Sequence, residues 1–181
     1  AENGSVALRA NRKNWREHLQ KISTQTRGQT PPGYGPTGLK DEQHKDGKNV
    51  RQIISWLEQK KHGEKPFFIA CGIQKPHVPF LAPQKYFDLY PQKELKFLLS
   101  PSNDWEDMPK LAMVKRFQSF GFEMGRENES LRREYTQAYH ACISYIDAQL
   151  GLLFKSLREH NLWDNTIVIF TSDHGYHLGE H

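Results

Sequence analysis

Apolar residues along the chain fall into two continuous runs and two periodic stretches. Ile167-Val168-Ile169-Phe170 is an unbroken, mostly β-branched run. Such a run predicts a strand covered on both faces, as in the middle of a parallel sheet. It stops at Ser172-Asp173-His174-Gly175. Phe67–Ile73 predicts a second strand of this kind, ending in Gln74-Lys75-Pro76-His77-Val78-Pro79-Phe80. Val50, Ile53, Ile54 and Leu57 share one helical face, which predicts a helix from Asp46, as N-cap, to Gly63, as the residue just past its end. The longest helix is predicted over Asn128–His160. Leu131, Tyr135, Ala138, Cys142, Ile146, Leu153 and Leu157 keep a three-and-four rhythm there, with a gap near Gln149. Ile143, Leu150 and Phe154 widen that stripe, which suits packing on a sheet.

Between these elements, Pro83–Tyr90 predicts a short helix with Pro83 in its first turn. Ala1–Gln20 has only a weak helical pattern, and Ser23–Gly38 is a Pro-, Gly- and Thr-rich loop. Pro91–Gly125 has no period and suits a lid or substrate-facing loop. Asn161–Asn165 turns the chain into the last strand. Strands separated by helical crossovers are normally parallel, so the fold class is α/β with a mostly parallel sheet between helices. Parallel strands share their carboxyl edge, where such folds bind ligands. The His77 loop and the Asp173-His174 loop are therefore expected to open on the same side.

Length and composition narrow this little. The 181 residues suffice for one domain with a core, and ten Phe, seven Tyr and four Trp supply bulk to bury. A net charge of +4 is compatible with an anionic substrate and equally with an ordinary solvated surface. No apolar run is long enough for a membrane span, no signal peptide is evident, and the first residue is Ala1. Cys71 and Cys142 both lie in apolar patterns and read as buried thiols, with a disulfide between them as the alternative, and without metal spacing.

Chemistry concentrates at the two strand ends. Asp173 and His174 offer a carboxylate and an imidazole side by side, a donor pair suited to a divalent cation or, equally, to capping a turn. Calcium takes roughly six to eight oxygens, so further ligands must come from elsewhere. His77, held between two prolines, is a candidate ligand-contacting histidine. His177 and His181 have the spacing of a helical zinc pair, but Gly179 and the lack of a His-Glu-x-x-His order argue against zinc. Glu180 and His181 either line the site or cap a turn.

Ser172–His181 (S-D-H-G-Y-H-L-G-E-H) resembles the second metal-binding segment of the sulfatases, members of the alkaline-phosphatase superfamily. Lys65–Pro91, with K-P-H-V-P-F at its centre, resembles their sulfate-contacting segment. The likeness is nearest the iduronate-2-sulfatase and choline-sulfatase branch. Asp46-Gly47-Lys48 and Tyr145-Ile146-Asp147 fit the same pattern, which runs from about Leu39 to His181. Residues 1–181 are then part of a single catalytic domain, loop-rich over 1–38 and matching the family over 39–181.

The resemblance implies a calcium-dependent sulfuric ester hydrolase whose nucleophile is a formylglycine, with magnesium the less favoured ion. It implies that Asp173 and His174 bind calcium and that His77 contacts the sulfate group and assists the leaving oxygen. Lys75 matches a variable position. The expected substrate is a sulfated small molecule or glycan, with no nucleic-acid partner, and the expected location is exported or lysosomal. Three features of the family are absent from the sequence: the Cys/Ser-x-Pro/Ala-x-Arg nucleophile signature, the pair of N-terminal aspartates, and the lysine beyond Gly-Glu-His. The expectation is an internal piece of a sulfatase, inactive alone. A phosphatase or phosphodiesterase of the same superfamily, and an inactive anion- or metal-binding chain, are the alternatives.

Overall fold

Tyr34–Thr37 (β1) and Phe80–Pro83 (β2) pair in parallel, Tyr34 opposite Phe80 and Thr37 opposite Pro83. The connection between them carries a helix, Lys45–Glu58 (α1), so the unit is β-α-β. A short helix, Gln84–Phe87 (α2), follows β2 directly, with Pro83 as its N-cap. Glu129–Glu159 (α3), 31 residues long, packs against α1 and both strands. The computed structural model describes residues 33–96, 106, 109, 129–176 and 178. The weakly helical stretch Ala1–Gln20, most of the Pro91–Gly125 loop, the Asn128 cap, and His177, Gly179, Glu180 and His181 lie outside the described residues.

The fold class holds, but the sheet is built from other residues than expected. β1 comes from the stretch read as loop, and neither Phe67–Ile73 nor Ile167–Phe170 is paired as a strand among the described residues. Phe67–Ile73 still alternates with a period of two. Phe67, Ile69 and Cys71 lie against Ile53, Leu57 and Leu157 of the helices. Phe68, between them, is 94 % exposed. Ile167 and Ile169 are 90 % and 83 % exposed, with Val168 less so. A continuous apolar run states that both faces need cover. It does not carry the neighbours that provide it, and no described residue fills the second face.

α1 also departs from its expected limits. It starts at Lys45, with His44 as N-cap, and ends at Glu58. Gly63, at φ +60°, closes a later turn on the Lys60 carbonyl instead. Asp46 is no cap: it is buried in the first turn, and its carboxylate reaches a distant loop. His44 makes no capping bond either, because its Nε2 sits 2.9 Å from Thr37 Oγ1. The first turn therefore takes help from α3. The Gly47 N–H donates to the Tyr145 hydroxyl at 2.7 Å, satisfying one of the donors every helix start leaves over.

α3 follows its periodicity closely. Tyr135, Ala138, Cys142, Ile146 and Leu157 are all buried. Ile143 is the exception within the widened stripe and is exposed. The gap in the stripe is occupied by Gln149, fully buried, which donates to Asp41 Oδ2 at 3.0 Å and accepts from Arg51 at 2.8 Å. A buried amide is tolerated because both its ends are bonded. Cys142 is buried, and burial pushes its thiol up to about 12; Cys71 is only half-buried, and both are free.

Asp41 ties the elements together. Its carboxylate accepts from Tyr86 at 2.5 Å, from Gln149, and from Lys85, whose ammonium lies 2.9 Å away. Burial pushes this carboxyl upward, but the hydrogen bonds from Tyr86, Lys85 and Gln149 outweigh it and hold it below its ordinary value. Burial, with the Lys75 ammonium nearby, pushes His44 down from 6.5 to about 4. In both cases the unfolded chain takes up its proton first as the pH falls. Stability is expected to decline from near pH 6.5 towards pH 4 as unfolded His44 is protonated, and further as Asp41 is protonated. Urea midpoints at pH 7, 5, 4 and 3 check this; His44→Asn should flatten the upper part of the decline and leave the part below pH 4.

Candidate functional site

Loop 74–79 leaves the edge of the fold between α1 and β2. Asp46 fixes its entrance: Oδ1 accepts the Gln74 N–H at 2.9 Å and Oδ2 the Lys75 N–H at 3.0 Å. The loop then turns, with the His77 N–H bonded to the Gln74 carbonyl at 2.9 Å. Both the Lys75-Pro76 and Val78-Pro79 peptides are cis. At its far end the Phe80 N–H joins the Gly33 carbonyl at 2.9 Å, and the Phe80 ring is buried in the core.

The His77 side chain is exposed at the tip of this loop. Its Nδ1 lies 2.7 Å from the Val78 carbonyl. A carbonyl only accepts, so Nδ1 carries a proton, and Nε2 is left facing outward for a ligand. Lys75, the weaker candidate beside it, is turned back into the loop. Its ammonium donates to the His77 carbonyl at 3.0 Å and to the Pro79 carbonyl. Burial lowers the Lys75 pKa.

Asp173 and His174 follow the uncovered run Ile167–Phe170. Their side chains are 89 % and 63 % exposed. Asp173 Oδ1 accepts the His174 N–H at 2.9 Å, and Ser172 Oγ donates to the His174 carbonyl at 2.8 Å. His174 Nδ1 donates to the Gly175 carbonyl at 3.0 Å, leaving Nε2 3.8 Å from Asp173 Oδ2. One carboxylate and one imidazole nitrogen thus stand together and open to solvent, a donor pair compatible with a divalent cation. Among the described residues, no third His, Cys, Asp or Glu joins them.

The two loops meet through Tyr176. Its ring centre lies 6.2 Å from that of His77 and 5.9 Å from that of His174. The ring is held from below by Phe80, at 5.6 Å, and by Tyr139 of α3, at 6.2 Å. His77 and the Asp173-His174 pair therefore share one side of the molecule, as expected, although an aromatic cluster brings them together rather than a ladder of the two apolar runs. Sequence reasoning missed Tyr176 as the bridge, and missed Asp46 as an anchor for the His77 loop. The usable signal for Asp46 was its place before a glycine in a segment already matched to a family pattern.

The chain is similar in sequence to a sulfatase of Formosa agariphila, 36% identical over 132 residues, covering 71% of this chain and 26% of that protein. It is 34% identical over 146 residues to the iduronate 2-sulfatase of Homo sapiens, covering 75% of this chain and 26% of that protein. The chain thus spans about a quarter of the length of these relatives. In three dimensions it is similar to the phosphonate monoester hydrolase of Agrobacterium radiobacter, with a TM-score of 0.70 at 22% identity, covering 99% of this chain and 37% of that one. That likeness supports the α/β fold. Residues 7–181 match the family described as Sulfatase, and this chain belongs to the sulfatase family.

Proposed function

We propose that the whole protein to which this chain belongs is a sulfuric ester hydrolase acting on a sulfated sugar, as the iduronate 2-sulfatase relatives are named for. The observation that carries this is the meeting of His77 and His174 around one Tyr176 ring, from loops far apart in sequence. His77, in its doubly protonated form, donates its Nε2–H to the sulfate group and passes that proton to the departing oxygen, which leaves the neutral Nδ1–H ring. Asp173 and His174 contribute two ligands to a calcium site. The ion, when bound, supplies charge neutralisation at sulfate oxygens and a fixed orientation for the reacting group. The nucleophile is a formylglycine on a segment carrying the Cys/Ser signature that this sequence lacks. An exported or lysosomal location follows from the same family reading.

Turnover by the whole protein tests it. p-Nitrophenyl sulfate is expected to be hydrolysed faster than p-nitrophenyl phosphate. Chelation should abolish the rate, and calcium should restore it better than magnesium. Preference for the phosphate ester would overturn the reading in favour of a phosphatase. Absence of any turnover would favour an anion- or metal-binding protein.

A further inference from the structure

A lysine two residues from a sulfate-contacting histidine invites the reading of a second sulfate ligand. Its geometry points elsewhere. The Lys75 ammonium already has two backbone carbonyls as partners, one on either side of Val78. Asp46, buried at the start of α1, holds the opposite end of the same loop by the Gln74 and Lys75 amides. Six residues are thus gripped at entrance and exit by two side chains of opposite charge. The grip leaves one group of the loop presented outward with an open nitrogen, the His77 imidazole.

We infer that Asp46 and Lys75 are positioning residues for His77, clamping loop 74–79 from both ends, and that Lys75 is not itself a sulfate ligand. The first half rests only on the hydrogen bonds of the loop. The second half rests on the proposed sulfatase reading. A carboxylate accepting two backbone amides is a charge-assisted pair of bonds, and an ammonium across two carbonyls is its counterpart. Such a frame matters because an error of about 1 Å in the placement of a reacting group costs about 10²-fold in rate.

The experiment is a double-mutant cycle in the whole protein, with Lys75→Met, Lys75→Arg, His77→Ala and the Lys75→Met/His77→Ala pair. Lys75→Met is expected to lower kcat by about 10²-fold while KM stays within about threefold, because binding of the ester is not its task. Lys75→Arg, which keeps donors for both carbonyls, should recover most of the rate. The double variant should be no slower than His77→Ala alone, since Lys75 acts only through His77. Multiplying losses, or a KM that rises with the lost charge, would overturn the proposal and make Lys75 a sulfate ligand. Amide exchange gives a readout independent of activity. In Asp46→Asn, the Gln74 and Lys75 amides should exchange at least about tenfold faster than in the parent protein. Unchanged exchange would overturn the clamp. If the parent protein hydrolyses no sulfate ester, the functional reading fails, and amide exchange alone then decides the clamp.

Discussion

Gly47→Ala is expected to cost about 3 kcal/mol or more of folding free energy, the sum of an overpacking term and a broken buried hydrogen bond. A Cβ at position 47 would stand 2.0 Å from the backbone oxygen of Asp41 and 2.9 Å from the Tyr145 hydroxyl. The first of these neighbours is main chain, so no rotamer change relieves the clash. The Tyr145 hydroxyl accepts the Gly47 N–H and donates to the Asp41 carbonyl at 3.2 Å. Moving α1 away to make room breaks both bonds and disturbs the Asp41 carboxylate that serves Lys85, Tyr86 and Gln149. It also shifts Asp46, the neighbouring residue, which anchors the His77 loop. Gly151→Ala is the control. It lies in α3 with nothing within 4 Å of its Cβ position, so the exchange should stabilise by up to about 1 kcal/mol. Urea unfolding of the two variants should move the midpoint in opposite directions. Equal midpoints would show that α1 and α3 do not pack at Gly47 as described.

The same contact shows what the sequence could and could not reveal. α3 was legible because 31 residues of helix repeat one requirement many times, and a single misfit such as Ile143 does not hide it. Gln149 looked like a fault in that stripe. It is a polar joint whose partners, Asp41 and Arg51, are remote in sequence. Asp46 was misread for a related reason. An aspartate at a helix start normally caps its own helix. Here its carboxylate bonds amides 28 and 29 residues away, a tertiary choice that no local pattern encodes. The apolar runs were read correctly as needing cover, and incorrectly as having it. Phe68 and Ile167 show that hydrophobicity records a demand and not its supply. His77, Asp173 and His174 stood out as candidates because they sit in segments whose order of residues is itself specific. Their meeting at Tyr176 depends on a cluster with Phe80 and Tyr139 that spacing does not foretell.

His77→Ala in the whole protein is expected to lower kcat/KM for a sugar sulfate by about 10² to 10⁴-fold, the usual contribution of a general acid. The imidazole is presented for that task. Nδ1 is engaged by the Val78 carbonyl, the ring is exposed, and the loop beneath it is fixed by Asp46 and by Phe80 in the core. Sulfate contact and proton donation are separable roles, and the leaving group separates them. p-Nitrophenolate departs readily without a proton, whereas a sugar alkoxide does not. If His77 donates the proton, the variant should lose far more rate on the sugar sulfate than on p-nitrophenyl sulfate. If His77 only holds the sulfate group, both esters carry the same group and both rates should fall alike. His77→Gln sharpens the distinction, because an amide N–H can hold a sulfate oxygen and cannot release a proton. Recovery by glutamine on p-nitrophenyl sulfate but not on the sugar sulfate would assign both roles to His77. Recovery on both would leave it a binding residue, and the acid would then have to come from another side chain at the same edge.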